Sequence, residues 1–131
     1  MASRKRITQG VKIVIDAVAS ESGDSQPVQF LRDLNKDKKT KAWAARLFAY
    51  FQMLGDEGRI TNKEIFKKLN DVVWEFRAGA ARMLGGYLPG GIFLLTNGFR
   101  KKSQKTPQKQ ITIAEETLKR ERKTEEGSDN E

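Results

Sequence analysis

Three short runs in the second half of the chain have the pattern of neighbouring strands in one antiparallel sheet. Residues 72–77 (VVWEFR) alternate in polarity, residues 82–88 (RMLGGYL) form a weaker strand, and residues 92–97 (IFLLTN) are apolar on both faces. Gly79 separates the first two runs, and residues 89–91 (PGG) separate the last two. Because such short connections join adjacent antiparallel strands, the sequence predicts two successive hairpins ending in a central apolar strand.

The remaining elements are predicted from hydrophobic periodicity and from helix-start signals. Residues 9–18 (QGVKIVIDAV) have the β-branched alternation of a first strand, whereas residues 28–34 and 38–54 have apolar side chains at helical spacing. Thr106 followed by Pro107 predicts an N-cap and the first position of a last helix. We therefore expect an α+β domain, in which a small antiparallel sheet is packed by two N-terminal helices and one C-terminal helix. With the helices on one side, the other face of the sheet would be open to a ligand.

The charge of +8 is unevenly distributed along the chain. Residues 1–114 carry 21 basic and 10 acidic side chains, whereas residues 115–131 carry 4 basic and 7 acidic ones. A basic body attracts polyanions, most simply a nucleic acid. We expect a single domain over residues 9–120, preceded by a basic N-terminal extension (1–8) and followed by a charged, disordered tail (121–131).

Several functional classes are excluded by what the chain lacks. It contains no cysteine and no histidine, which removes disulfides, thiolate metal sites and the commonest general base. The sequence offers no carboxylate cluster and no phosphate-binding glycine motif, so we expect neither a metal nor a cofactor. It also offers no apolar run long enough to cross a bilayer and no secretory signal, so we expect a cytoplasmic protein without a membrane partner.

Two groups of basic residues are candidates for binding phosphate. Arg77 and Arg82 flank a short turn, so they can converge on the open face of the sheet, where guanidinium groups suit phosphate oxygens. The alternative for each is an ordinary ion pair, for example with Glu75 or Asp71. The second group follows the apolar strand directly, without an acidic residue among residues 100–109, and comprises Arg100, Lys101, Lys102, Lys105 and Lys109.

The aromatic residues are predicted to be structural. Trp43, Trp74, Phe76 and Phe93 fall at core spacing, which argues against a platform for stacking bases. Strand alternation places Tyr87 on the side opposite Arg82, so we interpret it first as a core or rim residue.

The ordered set of motifs resembles one known group of proteins. Residues 72–77, Arg82, residues 91–102 (GIFLLTNGFRKK) and residues 105–114 (KTPQKQITIA) are similar to the RelE/ParE toxin superfamily, and most similar to its HigB-like, phage-derived branch. Residues 22–34 also resemble the loop and first helix of that branch. The resemblance implies an α+β, microbial-ribonuclease-like fold. It further implies cleavage of mRNA, commonly in the ribosomal A site, and neutralisation by an antitoxin encoded beside the toxin.

The resemblance also assigns roles to individual residues. Two family positions differ here, because Ala81 stands where an aromatic residue is usual and Gln110 where a glutamate is usual. The expected partners are mRNA, the ribosome and a cognate helix-turn-helix antitoxin. The expected site consists of the catalytic residues Arg77, Arg82, Lys102 and Glu75 and the RNA-binding residues Arg100, Lys101, Lys105 and Lys109.

The function predicted from these observations is that of a type II toxin that cleaves mRNA on the ribosome without a metal. Without histidine, the transition state would be stabilised mainly by Arg77, Arg82 and Lys102, and Glu75 or Lys102 would be the base. Two alternatives remain open at this point. One is a non-catalytic module, a decayed toxin that binds only an antitoxin or a nucleic acid, and the other is a gyrase-directed toxin on the same scaffold.

Overall fold

A computed structural model describes residues 4–129 of the chain, with side chains described up to residue 124. These residues form an α+β structure with a six-stranded mixed sheet and three helices. The strands lie in the order β1-β2-β6-β5-β4-β3 across the sheet. In chain order the elements are β1 (Arg4–Gln9), β2 (Val14–Val18), α1 (Gln26–Asn35), α2 (Lys38–Glu57), β3 (Phe66–Lys68), β4 (Trp74–Ala78), β5 (Ala81–Leu88), β6 (Ile92–Arg100) and α3 (Gln108–Asp129).

The N-terminal region is a hairpin and not the single strand predicted over residues 9–18. β1 and β2 pair antiparallel, and Arg6 lies opposite Asp16 in that ladder. The prediction was wrong because alternation revealed only the more apolar strand, whereas β1 is basic along its exposed positions. Residues 4–8, assigned by sequence to an extension, therefore form most of β1, and residues 1–3 lie outside the described residues.

The sheet is mixed, where an antiparallel one was predicted. β2 pairs with β6 in parallel, with Ile15 opposite Phe93, while the other neighbouring strands pair antiparallel. β6 can lie parallel to β2 because the two strands are not joined by a short turn: both helices and strands β3 to β5 come between them in the chain. A further strand, β3, was not predicted from the sequence and pairs with β4 at the sheet edge.

The two predicted hairpins of the second half are confirmed. β4 pairs with β5 and β5 with β6, and the β5–β6 turn contains Gly90 with a φ of 88°. The ladder between β5 and β6 is interrupted at Thr96, since Leu84 lies opposite Asn97 and Gly85 lies opposite Leu95. This extra residue turns the last part of β6 relative to the first part.

Helices cover both faces of the sheet, which corrects the expectation that one face is open. α1 and α2 pack on one face, in a core that includes Phe51, Phe76 and Phe93, and α3 packs on the other face through Ala114 and Leu118. The reason lies in β6, because its apolar residues point alternately to both faces and so both faces require cover. We refer to these as the α1–α2 face and the α3 face.

Helix α3 starts later and ends later than predicted. Its first residue is Gln108, and the Thr106 hydroxyl, expected to cap it, donates a hydrogen bond to Glu75. The helix continues to Asp129 through residues that composition assigned to a disordered tail, of which residues 130–131 lie outside the described residues. An ion pair joins Glu121 of this helix to Arg4 of β1, with 3.0 Å between Oε1 and Nε, and ties that segment to the sheet. Within residues 4–129, no helix has the length and apolarity needed to span a membrane.

Candidate functional site

The candidate site is built on the ends of β4 and β5, where the chain turns between them. Arg77 lies directly opposite Arg82 in the ladder, so the two arginines converge as predicted, but on the face that α3 covers and not on an open one. Their neighbours Phe76 and Met83 belong to the core under α1 and α2. Because side chains alternate along a strand, the arginines point to the α3 face, together with Glu75 two positions earlier.

The Glu75 carboxylate is the centre of this group and is fully buried. Its Oε1 accepts a hydrogen bond from Arg77 Nε at 2.7 Å, and its Oε2 accepts one from Thr106 Oγ1 at 2.6 Å. Arg82 Nε lies 3.9 Å from Oε1. A buried carboxylate is tolerated only when it is paired and hydrogen-bonded, and here both oxygens have donors. The structure therefore contains the ion pair between these arginines and Glu75 that the sequence offered as the alternative to phosphate binding.

The Arg82 guanidinium is nearly inaccessible, with 9% of its side chain exposed. Its Nη1 donates to the carbonyl oxygens of Gly79 at 2.8 Å and of Ala81 at 2.9 Å, which braces the turn between β4 and β5. Burial lowers the pKa of Arg82 from its ordinary value, Glu75 acts in the opposite direction, and Arg77 adds to the lowering. Arg82 thus neutralises Glu75 and supports the turn.

The Arg77 guanidinium is the more accessible of the two, with 26% of its side chain exposed. Nε is bonded to Glu75, whereas the two Nη groups have no hydrogen-bond partner within the part of the chain that the structure describes. The group is therefore held at one end, and its outer donors remain available to an anion.

The basic segment forms a loop that is attached to this group at both ends. Lys101 N donates to the Ala80 carbonyl at 2.8 Å, and Thr106 is bonded to Glu75. Lys101, Lys102 and Lys105 are exposed on the loop, and Lys109 is exposed near the start of α3. The structure thus brings these predicted lysines to the end of the sheet that carries Arg77.

Arg100 is separated from the other predicted residues. It lies opposite Ala81, whose side chain faces the α1–α2 core. Its guanidinium carbon lies 5.1 Å from the ring centroid of Trp43 in α2, in a cation–π contact. Sequence proximity to Lys101 therefore placed Arg100 in one group with residues that it does not face.

The sequence did not identify Thr106 or Asn97 as residues of the site, and it predicted Thr106 only as a helix cap. Asn97 Nδ2 donates to Gln110 Oε1 at 2.8 Å and to the Gln110 carbonyl at 3.2 Å, while Thr96 Oγ1 donates to Asn97 Oδ1 at 2.7 Å. This buried network fastens the first turn of α3 to β6. The available signal was a pair of polar residues at the end of an otherwise apolar strand, where burial demands partners.

Tyr87 lies on the α1–α2 face of the sheet, whereas Arg82 points to the α3 face. The interpretation of Tyr87 as a core or rim residue is therefore confirmed. Its ring contacts Trp74 and Phe93 edge to face, at centroid distances of 5.7 and 4.9 Å. Burial raises the pKa of the Tyr87 phenol above its ordinary 10.0. Among residues 4–129, no group of three or more potential ligands is arranged to hold a metal ion.

Comparison with known families identifies the chain. The model of the family described as Phage derived protein Gp49-like (DUF891) matches residues 29–119, which run from α1 into α3 and include the whole Glu75–Arg77–Arg82 group and the basic loop. A search of curated proteins gave no match. The match covers more than half of the sequence. The chain therefore belongs to the Gp49-like family of phage-derived proteins, a family of RelE/ParE-like toxins of toxin–antitoxin systems.

Proposed function

We propose that the protein is a type II toxin of the HigB-like branch that inhibits translation by cutting mRNA on the ribosome. The observation that carries this proposal is the accessible end of Arg77, beside a loop of exposed lysines, in a chain from a toxin family. Paired donors of a guanidinium and nearby ammonium groups suit the phosphates of RNA. A cognate helix-turn-helix antitoxin is the expected protein partner.

The reaction proposed is an in-line displacement at phosphorus. The RNA 2′-oxygen forms a bond to the adjacent phosphorus while the bond from phosphorus to the 5′-oxygen breaks. The 2′-hydroxyl loses a proton and the leaving 5′-oxygen gains one, so the products are a 2′,3′-cyclic phosphate and a 5′-hydroxyl. Arg77 would donate from its Nη groups to the phosphoryl oxygens, where negative charge increases in the transition state.

Glu75 and Arg82 would act through Arg77 and not on the RNA. Glu75 holds Arg77 Nε and fixes the direction of the guanidinium, and Arg82 places a second positive charge 3.9 Å from the same carboxylate oxygen. With both oxygens of Glu75 occupied, Lys102 is the better candidate for moving the proton. Lys101, Lys105 and Lys109 would bind the RNA backbone on either side, whereas Arg100, which contacts Trp43, has no part in this proposal.

The ribosome would supply the orientation that this site cannot supply by itself. The chain has no histidine, so it lacks the usual means of proton transfer, which contributes about 10²–10⁴-fold in other enzymes. Orientation of the reacting groups can contribute a comparable or larger factor. Free RNA should therefore be cut much more slowly than mRNA bound to a ribosome.

The test is induction of the protein in cells, with growth and mRNA cleavage measured together. We expect wild-type protein to arrest growth and to cut mRNA. Arg77→Ala should slow cleavage about 10²–10³-fold, the effect of removing one transition-state donor. Lys101→Ala/Lys102→Ala should also slow it. The matched control is Lys38→Ala/Lys39→Ala, because these lysines are equally exposed but lie at the start of α2.

The outcomes separate the alternatives. Cleavage by Arg77→Ala at the wild-type rate would remove this residue from the mechanism. Growth arrest with a DNA-damage response and intact mRNA would identify a gyrase-directed toxin. Normal growth with stable, folded protein would identify a non-catalytic binding module.

A further inference from the structure

A second basic surface lies at the β3 edge of the sheet, outside the Arg77 site. It is a pocket of about 530 Å³ lined by β3, by the segment that precedes β3 and by Trp74 of β4. We call it the β3 pocket, with an aromatic floor and a rim of lysines. Its lining includes Ile60, Phe66 and Trp74 as apolar residues and Lys63, Lys67 and Lys68 as basic ones.

The floor of the β3 pocket is a rigid aromatic surface. The Trp74 ring stacks on Phe66 with 4.8 Å between centroids and 17° between planes, and it lies perpendicular to the Tyr87 ring with 5.7 Å between centroids. Core spacing predicted a buried Trp74, yet the residue is only half-buried, since β4 lies next to the short edge strand β3. A fixed, partly accessible indole is the surface on which a nucleobase stacks.

The rim of the β3 pocket is positively charged. Lys63, Lys67 and Lys68 are exposed, and no acidic residue lines the pocket. Lys68 Nζ lies over the Trp74 ring, 5.9 Å from its centroid, so a base that stacks there would displace this flexible side chain toward the neighbouring phosphate. A ligand that binds both the aromatic floor and the lysine rim is itself aromatic and anionic, as is a nucleotide within an RNA strand.

Strand β3 connects the pocket to the Arg77 site. Lys67 lies opposite Glu75 and Lys68 lies opposite Trp74, so the two lysines point to the two faces of the sheet. Trp74 and Arg77 are three residues apart on β4, which corresponds to about 10 Å along the strand. A single RNA strand that crosses the edge at β3 can therefore reach both places.

We propose that the β3 pocket binds one nucleotide of the RNA, with its base stacked on Trp74 and its neighbouring phosphates bound by Lys63, Lys67 and Lys68. The identity of the ligand as RNA rests on the proposed function. An acidic peptide that adds a strand to β3 is the competing occupant. It is disfavoured because the edge is three residues long and the Phe66 N–H already donates to the Asn62 carbonyl at 3.1 Å.

The experiment uses the full chain with Trp43→Phe, which leaves Trp74 as the sole tryptophan. A hexa-adenylate RNA should quench Trp74 fluorescence saturably at low salt. In parallel, anisotropy of the labelled RNA should show binding weakened about 5- to 150-fold by Trp74→Leu, the range known for loss of one stacked base. Lys63→Gln/Lys68→Gln keeps the floor intact and should lower the salt-dependence slope by about 1.4, whereas Lys38→Gln/Lys39→Gln should leave it unchanged.

The results can overturn the subsite independently of the proposed function. Absence of quenching while Arg77-dependent mRNA cleavage persists would refute the subsite alone. Quenching that persists without any mRNA cleavage would refute the proposed function alone. Equal binding of an abasic oligonucleotide, or quenching by a glutamate-rich peptide in place of RNA, would show that no base stacks on Trp74.

Discussion

Replacement of Thr106 by valine tests whether the buried carboxylate holds the basic loop in place. The wild-type hydroxyl donates to Glu75 Oε2 at 2.6 Å, a short distance typical of a hydrogen bond to a charged acceptor. Valine keeps the shape of the side chain and removes the donor. The fully buried carboxylate would then retain Arg77 as its hydrogen-bond donor among the described residues, with Arg82 Nε farther away.

The expected loss follows from the charge and the burial of the acceptor. A hydrogen bond to a charged group contributes about 1.5–3 kcal/mol net, and a buried oxygen that loses its donor is not rehydrated. Thr106→Val should therefore lower the free energy of unfolding by about 2 kcal/mol. With a urea m value of about 2 kcal/mol/M, that loss moves the unfolding midpoint down by about 1 M.

Urea denaturation of a double-mutant cycle measures this contribution. Thr106→Ser keeps the hydroxyl and should cost less than about 1 kcal/mol. In a Glu75→Gln background the acceptor is neutral, so Thr106→Val should cost at least about 1 kcal/mol less than in the wild-type protein. Equal effects of serine and valine, or equal effects of valine in both backgrounds, would refute a charge-assisted attachment of the loop.

Two further predictions concern the surroundings of the site. Gly79→Ala should lower stability by more than about 1–2 kcal/mol in thermal unfolding, because φ is +58° and the new Cβ would overlap the Trp43 indole. Gly90→Ala, with φ of +88° and nothing within 4 Å, should cost less, and equal costs would exclude the contact with Trp43. The free energy of unfolding should fall as the pH rises above about 10, because burial raises the pKa of Tyr87 and the unfolded chain releases that proton first; alkaline unfolding curves that are unchanged in Tyr87→Phe would contradict this.

Local sequence signals predicted most of the elements but not how distant ones pair. Helices α1 and α2 and the hairpins β4–β5 and β5–β6 were predicted because each depends on neighbouring residues, periodicity and turn chemistry. Strand β3 was missed because it is only three residues long and carries too little pattern. The parallel pairing of β2 with β6 depends on residues more than seventy positions apart, which no local pattern records.

In the candidate site, too, local sequence signals predicted some features of single residues, whereas others depended on distant parts of the chain. The five-residue spacing across a short turn was enough to place Arg77 opposite Arg82. Their difference in exposure was not predictable, because it is set by α3 and by the loop that Thr106 ties to Glu75. For the same reason Glu75 was considered as a base from sequence, whereas its full burial and two hydrogen bonds give it a positioning role in our proposal.

The sequence by itself determined the α+β class, the antiparallel hairpins, the basic body and the membership suggested by its motifs, because these follow from residue type and short-range order. Only the tertiary structure decided which cations are accessible and which distant groups they contact. The long-range pairing and the helix on each face placed Arg77 beside the lysine loop, turned Arg100 onto Trp43, and left Trp74 half-open at the sheet edge. Burial and strand pairing are properties of the whole chain, so they appear only when all elements are assembled.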